Sequence, residues 1–363
     1  MRVRAAAGGL ALAATAGWSV TAIGAVATRV GHAYGVSLGV VGLFTTALFV
    51  THAALQVPAG RLSDRFGARS IGLVGLCVTA LASAAALAWR EAGFAIGMRA
   101  LAGVGTGIAF VAGSDYVRAT AGSPLAQGLF GAASIAATGL PLAIVPHWPG
   151  WHGPFATAAI VAAVGAVFLA VAPRDAVRPQ RGGSRPTILD RRLLRFGAMH
   201  SASLGFSVVV GNWVVTLLER NGGDSAAVAG AAGALTLLLG IVSRTLSGRV
   251  YGRALPLRLS FVAGGVATAV LAVAKPLPLV VVAAAIVGLA AGVPFASVFA
   301  GAASARPDAP AAAVGLVNMA AAITILVATP LVGLTFALPG EGRIGFVVVA
   351  GLWALAAAAV RPA

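Results

Sequence analysis

The chain has 363 residues, 59% of them apolar and only 9% charged, where a soluble domain carries about 25% charged residues; a soluble globular domain is excluded. At roughly 20 residues per crossing, this length leaves room for about a dozen membrane spans joined by short loops. The formal charge of +16 would suit a nucleic-acid partner, but the arginines gather in short loops between apolar runs without interleaved aromatics, which excludes that partner and matches the positive-inside pattern of membrane proteins.

The chain opens with Met1-Arg2-Val3-Arg4 ahead of an Ala/Leu-rich run, a pattern shared with secretory signals. The run continues past Thr21 to Thr28, and its removal would leave an odd number of helices, so it reads as the first span, 5–28. A short turn is expected at 29–34 and a second span at 37–59. Then comes Gly60-Arg61-Leu62-Ser63-Asp64-Arg65-Phe66-Gly67-Ala68-Arg69. Unpaired charge and irregular backbone are too costly for the hydrocarbon core, so this stretch is predicted as a loop in water at a membrane face. Further spans are predicted at 71–89, 94–117, 125–145 and 155–172. Cys77 lies in one of these runs; alone, it supports neither a disulfide framework nor a thiolate metal site, and it reads as a small buried hydrophobe.

Residues 173–195 break the pattern with Arg174, Arg178, Arg181, Arg185, Arg191, Arg192 and Arg195 among prolines and glycines, and are predicted as a linker between halves 1–172 and 196–363. Spans at 196–218, 225–247, 257–274, 278–303, 310–337 and 344–360 complete an all-α chain of twelve transmembrane helices. Charge supports this threading. Arg2, Arg4, Arg61, Arg65, Arg69, Arg118, the linker arginines, Arg249, Arg253, Arg258, Arg306 and Arg361 fall on one face. The other face has Arg29, Arg90, Arg220, Lys275 and Arg343, nearly offset by Glu91, Glu219, Asp224 and Glu341. Both termini and the linker are therefore predicted cytoplasmic, in a multi-pass protein of the cell's inner (plasma) membrane. The halves also look like repeats: Gly60-Arg61-Leu62 and Arg65 align with Gly248-Arg249-Val250 and Arg253, and the same offset sets Gly103-Val104 over Ala291-Gly292.

The pattern G-x-L-x-D-R-x-G-x-R at 60–69 resembles the loop between helices 2 and 3 of the major facilitator superfamily of secondary transporters. Arg99-Ala100-Leu101-Ala102-Gly103-Val104-Gly105 resembles that family's helix 4 element, and Gly150-Trp151 with Phe155 its helix 6 entry, although His152 stands where the family often has Arg. The resemblance implies two pseudo-symmetric six-helix bundles that rock about a central cavity. It also implies a gating role, favouring the outward-open state, for Asp64, Arg65 and Arg69 with the motif glycines Gly60 and Gly67. Asp115 is the expected partner, and a helix beginning near Pro310 could present its N-terminus to the carboxylate. The drug exporters' helix 5 element is degenerate here, Thr138-Gly139-Leu140-Pro141-Leu142-Ala143.

An ionisable residue inside a span is a functional candidate by default. Arg99, Arg244, His52 and His200 qualify, and Asn212 and Asn318 are polar, while no Asp or Glu lies deep in a span. Two interior arginines without a carboxylate predict an electropositive cavity suited to an anion. Arg244 could instead snorkel, and Arg99 could bind backbone carbonyls or Asp115, the latter about 24 Å along the same helix. Nitrate porters of this superfamily carry paired arginines at positions that are Gln56 and Arg244 here, so half of that clamp is present. His52 and His200 could titrate or simply bridge helices, and the asparagines more often bridge helices than bind substrate. The glycines Gly103, Gly105 and Gly107, and Gly288 with Gly292, suit close helix packing. The expected function is secondary active transport of a small, organic or inorganic, anion by a protein working as a monomer, with no catalytic set, no metal and no cofactor, and with a proton as the candidate coupling ion. An exporter of apolar compounds and a transport-inactive sensor of the same fold are the alternatives.

Overall fold

The computed structural model describes residues 2–23, 26–36, 38–175, 190–222 and 226–361, and among these there is no strand. The first half comprises α1 (Arg2–Thr21), α2 (Ala27–Tyr34), α3 (Leu38–Phe66), α4 (Ala68–Ala85), α5 (Ala92–Ala121), α6 (Pro124–Ile144) and α7 (Gly153–Ala170). The second comprises α8 (Arg191–His200), a wide π turn (Ser201–Gly205), α9 (Phe206–Gly222), α10 (Ala226–Leu246), α11 (Ala254–Val273), α12 (Leu277–Gly292), α13 (Phe295–Ala305), α14 (Pro310–Leu334) and α15 (Arg343–Leu355). Every predicted span overlaps a helix, and among the described residues eight segments are long and apolar enough to cross a membrane. Their outward faces carry large apolar side chains such as Leu81, Val167 and Leu255, as contact with lipid tails requires.

Five local expectations change. The charged stretch at 60–69 is not a loop throughout: α3 continues to Phe66, and only Gly67, at φ 88°, breaks the backbone before α4. The helix persists because the stretch is two-faced, with Ser63 and Asp64 turned into protein and Arg61, Arg65 and Phe66 outward. The turn at 29–34 lies within the short helix α2, closed by Gly35 at φ 64°. Arg191, Arg192 and Arg195, read as linker, belong to α8, whose first N–H groups are capped by the Asp190 carboxylate; residues 176–189 of the linker lie outside the described residues. The span read as 278–303 is broken at Val293-Pro294, where proline removes a helical donor. Cys77 is exposed on α4 rather than buried in protein. Its neighbours are apolar, so lipid serves it as well as a core would.

Within the first half α3 and α4 pack on α5, and α1 packs on α5, α6 and α7. In the second, α10 packs on α9 and α12, and α11 on α12 and α15. The halves meet along two seams, α3 on α14 and α6 on α10. Glycine sets the spacing at the helix contacts. A Cβ at Gly105 would stand 2.6 Å from the Gly75 carbonyl oxygen, one at Gly107 2.7 Å from that of His52, and one at Gly292 2.8 Å from that of Gly240. The packing role expected of these glycine runs is what the helices show.

A backbone carbonyl cannot step aside as a flexible side chain can. Gly105→Ala should therefore destabilise the protein by about 1–3 kcal/mol through overpacking. Gly97→Ala, where a Cβ meets open space, should be neutral or stabilising by up to about 1 kcal/mol. Thermal unfolding of the two variants in detergent checks the contrast.

Candidate functional site

A cavity of about 50 Å³ lies between the halves, walled by α1, α3, α5, α6, the α8–α9 segment, α10 and α14. That is space for a few waters. Most of the wall is apolar, with Phe49, Leu204, Val208 and Ile325 among its residues. The polar groups are His52, Ser134 and Thr138 from the first half and Arg244 and Asn318 from the second, and no carboxylate lines the space.

Arg244 does not snorkel. Its side chain is buried, one Nη donates to the Gly131 carbonyl across the α6–α10 seam at 3.2 Å, and the guanidinium lies 4.9 Å over the Phe295 ring. Its Nε is buried without a partner. Close approach at the seam makes the reach possible: a Cβ on Gly131 would strike the Phe295 ring. Asn318 accepts at Oδ1 from His200 Nε2, 3.2 Å away. His52 contacts the Thr106 hydroxyl through Nδ1 at 3.0 Å, and its carbonyl accepts from Gln56 Nε2 at 3.0 Å. Gln56 itself is buried in the α3–α14 seam and is not part of the cavity wall.

Arg99 has a different job. It is buried away from the cavity, and its guanidinium donates to the carbonyls of Phe44 at 3.2 Å and Ser19 at 2.7 Å. Ser19 lies in the last turn of α1, where carbonyls lack helical partners and a cation is favoured. Asp115 pairs with Arg118 one turn on, not with Arg99. The side chain of Asn212 lies outside the described residues.

At the opposite end from α2, Asp64 meets the start of α14. Its two carboxylate oxygens accept from the N–H groups of Ala311 and Ala312, each at 3.2 Å. Pro310 at the first position leaves these donors as the exposed ones. Gly60, one turn earlier on α3, lets the backbones touch, since a Cβ there would lie 2.6 Å from the Ala311 carbonyl oxygen. Asp115 and Arg118 are the nearby charges. Arg65 is exposed and rests on Phe66. Arg69 bonds the carbonyls of Leu169 and Ala170 at the end of α7. Asp175 returns the favour by accepting from the Ala68 and Arg69 N–H groups at 2.7 and 3.0 Å, capping α4. Sequence reasoning passed over Asp175; an isolated acid in an arginine-rich stretch was the available signal.

Also missed was a layer of rings beneath the cavity. Phe110 of the cavity wall meets Phe130 at 5.5 Å and, edge-on across the halves, Phe299 at 5.9 Å; Phe299 stacks on Phe295 at 4.4 Å. On the far side of Phe299 a second space of about 370 Å³ opens toward Asp115, Arg118, Gln127, Tyr251 and Pro310. The rings separate the two spaces. Phe299→Ala, in a Cys77→Ser, Thr138→Cys background, should admit a membrane-impermeant thiol reagent from the Asp64 end to the cavity. Unchanged labelling would place the barrier elsewhere.

The family description Major Facilitator Superfamily matches residues 9–329. No curated protein sequence matches the chain. Among solved structures, the human organic anion transporter MFSD10 (TETRAN) superposes with a TM-score of 0.80 at 17% identity, covering 98% of each chain. The E. coli fucose:proton symporter FucP superposes at 0.76 with 13% identity, covering 99% of this chain and 98% of its own. The nucleoside transporter NupG superposes at 0.68 with 14% identity over the same shares. At these identities the likeness is one of fold.

Proposed function

The chain belongs to the Major Facilitator Superfamily, and from that premise we propose that it is a secondary active transporter for a small anion, working by alternating access. One observation carries the substrate class. Arg244 reaches the central cavity as a buried cation with no carboxylate among the cavity's lining residues. A charge at such depth costs at least about 2.5–3.5 kcal/mol, and a carbonyl bond with an aromatic face compensates it only in part. A guanidinium fork completes its bonding with a carboxylate or another planar oxyanion. Arg99 adds nothing to this reading, because backbone carbonyls occupy it. Gln56 stays outside the cavity, so the double-arginine clamp of nitrate porters has no second member. The apolar walls favour a short organic anion with a hydrocarbon part, and the name of the MFSD10 neighbour is in keeping with that, whereas FucP and NupG are named for uncharged solutes.

Alternating access assigns roles to the rest. The moving units are the bundles 1–172 and 196–363, joined through 173–195, with α8 already begun at Arg191. Asp64 on the α14 N-terminus, with Gly60 and Gly67 shaping the approach, latches one end of the α3–α14 seam. Arg69 and Asp175 brace α4 against α7. The excess of arginine at that end makes it the cytoplasmic one, so the arrangement described is closed toward the cytoplasm. A single chain builds the whole cavity and suffices as a monomer. A coupling proton has His52 as its one titratable candidate in the cavity wall besides Arg244.

A thermal-shift screen with nitrate, cyanate, phosphate and short carboxylates beside lipophilic cations and neutral sugars tests the reading. A bound ligand stabilises by roughly 2.7 kcal/mol at a hundred times its dissociation constant. Shifts should be confined to anions, and Arg244→Gln should weaken them by about tenfold in affinity, the scale of one charge-assisted hydrogen bond. Shifts with cations alone would remove the anion assignment. For the latch, Asp64→Ala should cost the closed state about 0.5–2 kcal/mol, as loss of a helix cap does. That raises cytoplasmic access to a Thr138→Cys reporter about two- to thirtyfold, and Asp64→Asn, which keeps a cap, should fall between. Equal labelling in all three would remove the latch.

A further inference from the structure

His200 is the least explained polar residue in the membrane region. It is fully buried, its Nδ1 has no partner, and it sits against the rings of Phe299 at 4.9 Å and Phe295 at 6.2 Å. The backbone turns irregular immediately after it. The π turn Ser201–Gly205 interrupts the α8–α9 segment, and Leu204 within it and Val208 beyond it line the cavity. Such wide turns are rare and recur at functional sites. A buried imidazole with an orphaned nitrogen next to one needs a reason.

Its one polar contact supplies the reason. His200 Nε2 lies 3.2 Å from Asn318 Oδ1; an amide oxygen only accepts, and a proton on the buried, unpartnered Nδ1 would have no acceptor, so the Nε2–H tautomer is the one that satisfies this pair. Asn318, unlike His200, faces the cavity. With its oxygen held from behind, the amide can turn only its NH2 group toward that space. Flipped, it would offer a lone pair that repels an anion. Arg244 and Asn318 both line the cavity, and Arg244 flanks the same Phe295 ring as His200, with its guanidinium 4.9 Å over it. We propose that Asn318 is a second anion-binding group beside Arg244, and that His200 is the positioning residue that fixes its amide with the NH2 toward the cavity. The inference rests on the anion reading above and goes further by making the donor polarity of the site depend on a residue that never touches the solute. It also states a chemical class, a monovalent oxyanion that takes a guanidinium on one edge and an amide N–H on another.

The test combines two readouts on the full chain. Nitrogen-15 histidine NMR of the detergent-solubilised protein should find the His200 proton on Nε2, with resonances that move in Asn318→Ala. A proton on Nδ1 overturns the inference whatever the solute. Uptake into proteoliposomes is then measured with formate, acetate and nitrate, and with neutral acetamide as the uncharged counterpart of acetate. His200→Leu should raise the apparent constant for the transported anion about three- to tenfold with little change in maximal rate. His200→Gln, whose amide can also donate to Asn318 Oδ1, should restore most of it. In the Asn318→Ala background His200→Leu should add nothing. A loss of maximal rate or yield at unchanged constant, or full additivity with Asn318→Ala, would make His200 a packing residue and overturn the proposal. Absence of any anion response in the wild type, with the proton on Nε2, would instead overturn the anion reading and Asn318's role with it.

Discussion

Inside a bilayer a polar group without a protein partner has no water to turn to, and this constraint orders the whole molecule. It explains why the interior polar residues come in pairs that cross helices: Arg99 with the α1 and α3 carbonyls, His52 with Thr106 at 3.0 Å, Trp18 with Thr157 at 3.0 Å, His200 with Asn318. It also explains where the irregular backbone falls. The π turn after His200 and the break at Val293-Pro294 both lie against the central region, walled by protein rather than lipid. A freed carbonyl is tolerable there because a neighbouring helix or a cavity water can bond it.

The same constraint governs the seams between the halves, which, on the alternating-access reading proposed above, hold in one state and part in another. Both are built from glycine contacts and a small number of directional bonds. On the α3–α14 seam these are Asp64 on the Ala311 and Ala312 N–H groups; on the α6–α10 seam, Arg244 on the Gly131 carbonyl. Backbone-to-backbone fit gives area without interlocked side chains, so the helices can separate without unpacking. On that reading, the charge-assisted bonds at the two seams would supply the energy difference between states. Asp175 and Arg69 differ in kind: they join α4 and α7 within one half, and nothing about a rocking motion requires them to open.

Much of this was legible in the sequence. Apolar run length gave the helices, glycine spacing gave their close contacts, and the single acid at position 64 with a proline-led helix at 310 gave the cap. Three things were not legible, each for a physical reason. Charge at 60–69 argued for water and hence for a loop, but a helix satisfies its own backbone and extends past the membrane edge at no cost, so α3 runs on to Phe66. Arg99 and Arg244 are indistinguishable as residues in apolar runs. Only tertiary placement shows one at a helix C-terminus and the other at a cavity. The ring layer of Phe110, Phe130, Phe295 and Phe299 draws on helices far apart in the chain, and phenylalanine in an apolar span carries no local mark of facing inward.

The contrast between the two arginines also bears on what the cavity is for. Both are fully desolvated, so both incur the same kind of cost. Arg99 recovers it through two carbonyl bonds, one at a helix end whose dipole favours a cation, and such an arginine is complete without a solute. Arg244 has one carbonyl bond of 3.2 Å, a ring face and a buried unpartnered Nε. The protein could have closed that account with a carboxylate, as buried cations usually are, yet none lines the cavity. A cation left short of partners beside an amide held in one orientation is poorly explained as architecture. It fits the proposed anion site, in which the missing partner would arrive from solution and complete the bonding of Arg244.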